Sequence, residues 1–375
     1  MNERDAMKRN PASLVERLRE RIRRESAITF RDWMAAALYD ESEGYYRRSD
    51  RARWGRAGDY RTSPERSPLF AATFARYFAK LYQELGSPAQ LTIVEAGAGA
   101  GHFAHGVLET LQRSSPHVFN ATRYLIDETS ADTRERVRER LRTFAGRVEF
   151  LRLNEIEVPI NAGLVFSNEL LDAMPVHRVI AREGKLLELC VGLNDAGEFI
   201  WTERETTTPR LAAYFDELGV HLADGQIAEV SLAAGDWLCR VAAKLDCGYI
   251  ITVDYGAEPQ ELYGVPHRMG GTLRAFREHR FAGNVLSSPG EQDITTTVDW
   301  THIKRTGEKC GLETALFERQ DRFLLGAGAL DQLELMAAET SNEAERVILH
   351  ASAREMILPG GMSESFQVLV QKRKA

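Results

Sequence analysis

The stretch Leu91-Thr-Ile-Val-Glu-Ala-Gly-Ala-Gly-Ala-Gly-His-Phe-Ala-His105 constrains the chain more than any other. Leu91 to Val94 is a short apolar run rich in β-branched residues and reads as a buried strand. Glu95 closes it, and Gly97, Gly99 and Gly101 follow in strict alternation. From Phe103 the pattern is helical, with Phe103, Val107, Leu108 and Leu111 on one face. Strand, glycine turn and helix form the first half of a nucleotide-type βαβ unit. Glycines there allow backbone conformations closed to other residues and let a ligand lie against the main chain.

The spacing separates two ligands. A dinucleotide fingerprint needs glycines at the first, third and sixth positions of the turn. His102 stands at the sixth position here, and the third glycine comes one residue early. The pattern E-x-G-x-G-x-G suits S-adenosylmethionine, which has no pyrophosphate but offers an adenosine, an amino acid head and a sulfonium. Glu95 is placed to face the ammonium or sulfonium side. The plainer alternative is a tight strand-to-helix turn with no ligand.

The remaining strands can be read in order. Arg123 to Ile126 is a second strand with Asp127 and Glu128 at its end, where a βαβ unit binds ribose hydroxyls. The competing role for Glu128 is to cap a helix over Ala131 to Phe144. The five arginines of that helix are interleaved with Glu135 and Glu139, which favours a solvated face over a nucleic-acid patch. Val148 to Leu151 and Ala162 to Ser167 read as the third and fourth strands. Asn168 and Glu169 follow the fourth at the edge where open α/β sheets bind ligands. Asp172 would lie one helical turn beyond Glu169, so both carboxylates would share a face. Paired carboxylates suit a guanidinium, a planar fork of donors; a helix cap at Asn168 is the alternative. Residues 177 to 201 alternate and read as an inserted hairpin or meander. Residues 209 to 245 read as helical, broken near Gly219 and Gly235. Gly248 to Val253 is a fifth strand, residues 256 to 297 are loop-rich, and strands near 312–317 and 366–372 end the sheet.

Before this core, Ser13 to Glu25 reads as an amphipathic helix with Leu14, Leu18 and Ile22 on its apolar stripe. Thr29 is a candidate N-cap for a helix over Phe30 to Tyr39. A loop rich in Gly, Ser, Asp and Tyr follows, and a helix starts at Ser63-Pro64-Glu65. Such a loop is either a lid or a surface connection.

With 375 residues the chain suffices for one large domain or two ordinary ones. A net charge of -7 gives no global attraction to nucleic acid or anionic membrane. Four cysteines without paired spacing read as reduced thiols. The polar N-terminus argues against a signal or transit peptide. Together these imply a cytoplasmic protein with no nucleic-acid or membrane partner; a homodimer is left open. His102 and His105 have metal-ligand spacing but no third ligand nearby, so no metal is expected.

The motifs Gly58-Asp-Tyr-Arg-Thr-Ser-Pro-Glu-Arg-Ser-Pro-Leu-Phe70, the glycine turn, Asn168-Glu-Leu-Leu-Asp-Ala-Met-Pro175, Asp254-Tyr-Gly256 and Pro289-Gly-Glu-Gln-Asp-Ile-Thr295 occur in that order. In this the chain resembles the MidA family of class I methyltransferases, from about Ile28 to the C-terminus. It departs at Ala98, where the family usually has proline, and at His102-Phe103, where it usually has a small residue and leucine. The resemblance implies a Rossmann-like α/β core, a mainly parallel seven-stranded sheet with helices on both faces, and S-adenosyl-L-methionine as cofactor. It implies a protein arginine acceptor, the best understood member being regarded as making symmetric dimethylarginine. It favours Glu128 over Asp127, through Glu128-Thr-Ser130, and adds Asp293 of Asp-Ile-Thr to Glu169 and Asp172 as catalytic carboxylates. Gly58, Asp59, Tyr60, Thr62 and Ser63 would cover a cofactor held by Glu95, Gly97, Gly99, Gly101, Glu128 and Asn168.

The expected organisation is an N-terminal helical and lid segment over 1–88 and a cofactor-binding core over 89–176. An inserted substrate region over 177–246 and the rest of the core over 247–375 follow. The other classes weighed are a small-molecule methyltransferase, a non-catalytic assembly factor and a nicotinamide-dependent dehydrogenase, the last disfavoured by His102.

Overall fold

Strand β1 (Leu91–Ala96) is buried at all its positions, so the sheet that contains it carries a layer on each face. The computed structural model describes residues 12–48, 63–277, 280–358 and 362–374. Its contacts divide it into two units. Met1–Asp50, Pro175–Ser231 and Tyr263–Thr296 form one, and Arg51–Met174, Leu232–Leu262 and Thr297–Ala375 the other.

The second unit is built on β1, β2 (Thr122–Asp127), β3 (Val148–Phe150), β4 (Gly163–Asn168), β5 (Gly248–Ala257), β6 (Leu312–Arg319) and β7 (Phe366–Arg373). Their order is β6-β7-β5-β4-β1-β2-β3. Strands β1 to β5 pair in parallel. Strand β7 runs antiparallel to both β5 and β6. The chain steps outward from β1 to β3 and then returns to the other side of β1, so strand order reverses between β1 and β4. Ligands of open α/β sheets bind at the carboxyl ends of the strands at such a reversal.

One face of this sheet is aromatic. Helices Pro68–Glu84 and His102–Ser114 bring Phe74, Phe78 and Phe103 against Phe166 of β4. The Phe103 and Phe166 rings stack with centroids 3.9 Å apart. The other face is mainly aliphatic, with Val94, Val165, Ile250 and Leu369 under helices Leu232–Ala242 and Trp300–Lys309. Gly235 was expected to break a helix, but it lies inside the first of these two. A Cβ there would sit 3.0 Å from His302 Nε2 and 3.3 Å from Thr306 Cγ2. The glycine serves the close approach of two helices. The same helices are joined by a disulfide between Cys239 and Cys310, which corrects the reading of four reduced thiols; Cys190 and Cys247 are free.

The first unit contains a five-stranded antiparallel sheet. The alternating stretch after residue 177 forms a meander of His177–Arg182, Lys185–Leu193 and Phe199–Glu205. Ile28–Thr29 pairs with Val191 and Cys190, and Ile227–Val230 pairs with the first strand of the meander. Ile227–Val230 falls where the sequence suggested helix: Gly219, with φ 68°, ends helix Arg210–Leu218, and extended chain follows. Helix Leu14–Glu25 has a full capping box between Ser13 and Glu16, and Thr29 Oγ1 accepts the Asp32 amide to cap helix Phe30–Tyr39. Part of the region read as loop is a small sheet of Arg274–Arg277, Arg280–Phe281 and Asp293–Thr295.

Glu95 sits on the aromatic face of the second unit's sheet, 4% exposed. The Tyr124 hydroxyl of β2 donates to its Oε2 at 2.7 Å. Burial, with a smaller contribution from the Glu128 charge and against the Tyr124 hydrogen bond, pushes this carboxyl up to about 8. A raised folded-state value means that the stability it contributes is present below its unfolded value of 4.5 and is lost as pH rises through about 8. In the ligand-free protein, chemical denaturation of wild type and Glu95→Gln from pH 5 to 9 checks this. The variant is expected to gain on wild type steadily up to about pH 8 and then to hold a constant advantage. A difference independent of pH would contradict the assignment.

Candidate active site

The glycine turn after β1 is conformationally demanding. Gly97, Gly99 and Gly101 have φ of 75°, 52° and 76°, the left-handed region that other residues enter at a cost. The Gly97 amide donates to the Asp127 carbonyl at 3.0 Å, which ties the turn to the end of β2. Gly101 is the N-cap of helix His102–Ser114 and offers no capping side chain, so the first amides of the helix are left to other partners. Arg140 holds the outer side of the turn. Its Nε donates to the Ala100 carbonyl at 2.7 Å, and its Nη1 lies 3.2 Å from His102 Nδ1. Burial, then the charges of Arg140 and His105, push His102 down to about 4, so it is neutral at pH 7 and accepts from Arg140.

Beside the turn lies the segment that leaves β4. A Cβ on Gly97 would come 3.2 Å from Leu170 Cδ1, so the two loops are packed against one another. Residues 169 to 172 do not form the expected helical turn. Glu169 itself has φ 51°, and turn structure follows it. Spacing on a helix therefore does not bring Glu169 and Asp172 together, and Asn168 is the last residue of β4, not a helix cap. What organises the segment is Asp254 of β5, which is fully buried. Its Oδ2 accepts the amides of Leu171 at 2.9 Å and Asp172 at 3.3 Å, and its Oδ1 accepts the Tyr255 amide at 2.9 Å. The Tyr255 hydroxyl donates to Asp172 Oδ2 at 2.5 Å. Burial raises Asp254 well above the usual carboxylate range, and the charges of Asp172 and Glu169 raise it further, against the amide bonds that favour its anion. Three carboxyl groups thus cluster at the ends of β4 and β5. Asp254 and Tyr255 were legible as the end of a strand and as part of the motif Asp254-Tyr-Gly256, but were given no role in the site; the signal was an acid directly after the buried run Gly248 to Val253.

The other expected site residues fall as follows. Asn168 Nδ2 donates to Glu169 Oε1 at 3.0 Å, while its buried Oδ1 has no hydrogen-bond partner among the described residues. Glu128 lies just past β2, and its carboxylate accepts the Ser130 amide at 2.8 Å. The cap of the following helix, Ala131–Arg140, is Ser130 and not Glu128. Ser63 is fully buried, with its hydroxyl 3.5 Å from Gln320 Nε2. Gly58, Asp59, Tyr60 and Thr62 lie outside the described residues. Asp293 belongs to the first unit and stands on a strand, where a loop was expected. It is buried, and the Tyr46 hydroxyl donates to its Oδ1 at 2.6 Å.

Residues 73–318 match the family model of S-adenosyl-L-methionine-dependent methyltransferases. A Burkholderia thailandensis protein whose crystal structure holds S-adenosyl-homocysteine is 32% identical, with a TM-score of 0.86 over 96% of this chain and 92% of that one. Among curated relatives, the mitochondrial protein arginine methyltransferase NDUFAF7 homolog of Drosophila melanogaster is 26% identical over 95% of this chain and 84% of its own length. The human mitochondrial protein arginine methyltransferase NDUFAF7 is 23% identical over 95% and 83%. These names correct the expectation of a cytoplasmic protein, since they point to mitochondria. Fold, motif order and similarity agree: the chain belongs to the MidA family of S-adenosyl-L-methionine-dependent methyltransferases.

Proposed function

We propose that this methyltransferase acts on an arginine side chain of a protein, and that the acceptor is met by the carboxyl cluster at the ends of β4 and β5. The observation that carries this reading is the cluster itself. Glu169 and Asp172 place negative charge around the buried Asp254 carboxyl, beside the glycine turn. A neutral hydroxyl acceptor needs one base, whereas a guanidinium leaving water needs matched anions. The names of the curated relatives support the same acceptor class.

The residues at the turn fit S-adenosylmethionine. Three left-handed glycines keep side chains off the backbone where a ligand would approach, and the buried Asn168 Oδ1 is an acceptor in want of a donor. The cofactor supplies an electrophilic methyl on a sulfonium. Gly97, Gly99 and Gly101 would carry it against the main chain, with Glu128 on its ribose hydroxyls and Asn168 beside its polar groups. Glu95, largely protonated at neutral pH, would act as a hydrogen-bonding carboxyl and not as a fixed anion. Glu169 and Asp172 would hold the guanidinium, localise its charge and take its proton as the methyl arrives. Asp254 acts through them: it fixes the amides of residues 171 and 172, and Tyr255 fixes the Asp172 carboxylate. Alignment of acceptor, methyl and sulfur supplies much of the rate.

Three measurements test this. Gly99→Val puts a β-branched residue at φ 52° and should abolish binding of S-adenosyl-homocysteine in calorimetry while the protein stays folded; retained micromolar affinity would overturn the placement. Glu169→Gln and Asp172→Asn should leave cofactor affinity within a few-fold and lower turnover by about 10²-fold or more. Tyr255→Phe should lower turnover by less. Mass spectrometry of protein labelled in a lysate should find methylarginine. Normal turnover in both carboxyl variants, without methylarginine, would exclude the acceptor.

A further inference from the structure

The second unit carries an apolar surface that its own fold does not use. Among the described residues, ten large hydrophobic side chains are exposed, and six of them lie between residues 325 and 358: Leu325, Leu330, Leu335, Val347, Ile348 and Leu358. Four of the six lie on helices Ala329–Glu339 and Glu343–Ile357, which are joined by three residues and form a helical hairpin. Helix Glu343–Ile357 has two apolar stripes. Leu349, Ala353 and Met356 form the buried one. Ala344, Val347, Ile348 and Ala351 form the second, at the spacing of one helix face, and all four are exposed. Val347 is 63% exposed and Ile348 67%, values far above those of a side chain resting on its own core. A concentrated patch of this kind on a soluble surface marks an interaction site.

The charges beside the stripe identify the occupant. Glu343 stands at the start of the helix and Arg354 eleven residues later, about three turns on and therefore along one flank. Neither makes an ion pair among the described residues; the helix's ion pair there is Arg66 with Glu355, 3.7 Å apart. In an antiparallel pair of identical helices related by a two-fold axis, the same flank of each copy faces its equivalent. Glu343 of one copy then meets Arg354 of the other, twice. In that register Ile348 lies beside its own symmetry mate, and Ala344 opposes Ala351, where small side chains let the helices approach. A two-fold interface must be self-complementary in this way. Antiparallel packing also sets each helix's positive end beside the other's negative end. We infer that the exposed stripe of helix Glu343–Ile357 is an antiparallel homodimer interface, centred on Ile348 and framed by two Glu343–Arg354 ion pairs.

Sedimentation equilibrium on the full-length protein at micromolar concentrations tests this. Wild type is expected to be a dimer. Ile348→Asp is expected to be a folded monomer with unchanged affinity for S-adenosyl-homocysteine and a melting temperature that no longer depends on protein concentration. Glu343→Arg alone should weaken the dimer at least several-fold, and adding Arg354→Glu should restore it. Both substitutions oppose the helix dipole, so recovery in the double variant cannot come from a better helix. A wild type that is monomeric throughout overturns the inference, including the case in which the stripe binds a different protein. So does a dimer that survives Ile348→Asp in a folded variant, or a charge exchange that fails to restore association.

Discussion

The site depends on where β1 stops. Both faces of that strand are covered, so its side chains have no freedom until Ala96, and the chain must then turn within a few residues to start a helix on the aromatic face. Only a succession of left-handed residues makes that turn, and only glycine enters that region cheaply. The Gly97 amide is anchored to the end of β2, and Leu170 closes the gap on the β4 side. The position of the glycine turn is therefore set by the sheet itself. Substitutions in the aromatic layer, such as at Phe103 or Phe166, would be felt in the turn because helix His102–Ser114 begins at its last glycine.

Electrostatics then divides the carboxyl ends of the strands into two regimes. On the β1–β2 side, Glu95 is buried with one phenol for company and is held largely neutral. On the β4–β5 side, Asp254 is equally buried and raised despite three amides, because the charges of Asp172 and Glu169 add to its burial. Each carboxyl answers to its local donors more than to the overall charge of the chain.

Much of this was legible in the sequence because it depends on short-range rules. The buried apolar runs, the strict glycine alternation at 97 to 101, the apolar stripe of Leu14, Leu18 and Ile22 and the cap at Thr29 are local signals, and the elements formed where those signals lie. What was not legible depends on packing between distant segments. Gly235 looks like a helix breaker until His302 and Thr306 are seen against it. Ile227–Val230 carries no strong pattern of its own and is a strand because His177–Arg182 offers it an edge. The three-residue spacing of Glu169 and Asp172 suggested a helix, but Asp254, more than 80 residues on, captures the amides that a helix would have used. Cys239 and Cys310 are likewise joined by helix packing that spacing alone does not reveal.

The way the first unit is cut from the sequence has a consequence for biosynthesis. Its five-stranded sheet takes an edge from Ile28–Thr29, which must wait for Val191 and Cys190 before it can pair. The small sheet that holds Asp293 arrives later still. Pairings between segments so far apart in sequence form slowly, because the loop between them must be closed before any contact rewards it. Helix Phe30–Tyr39, with its load of large apolar side chains, is thus among the first parts of the chain to leave the ribosome and among the last to find cover. In the nascent chain the apolar face of that helix therefore stays uncovered until the meander that follows residue 177 has been made.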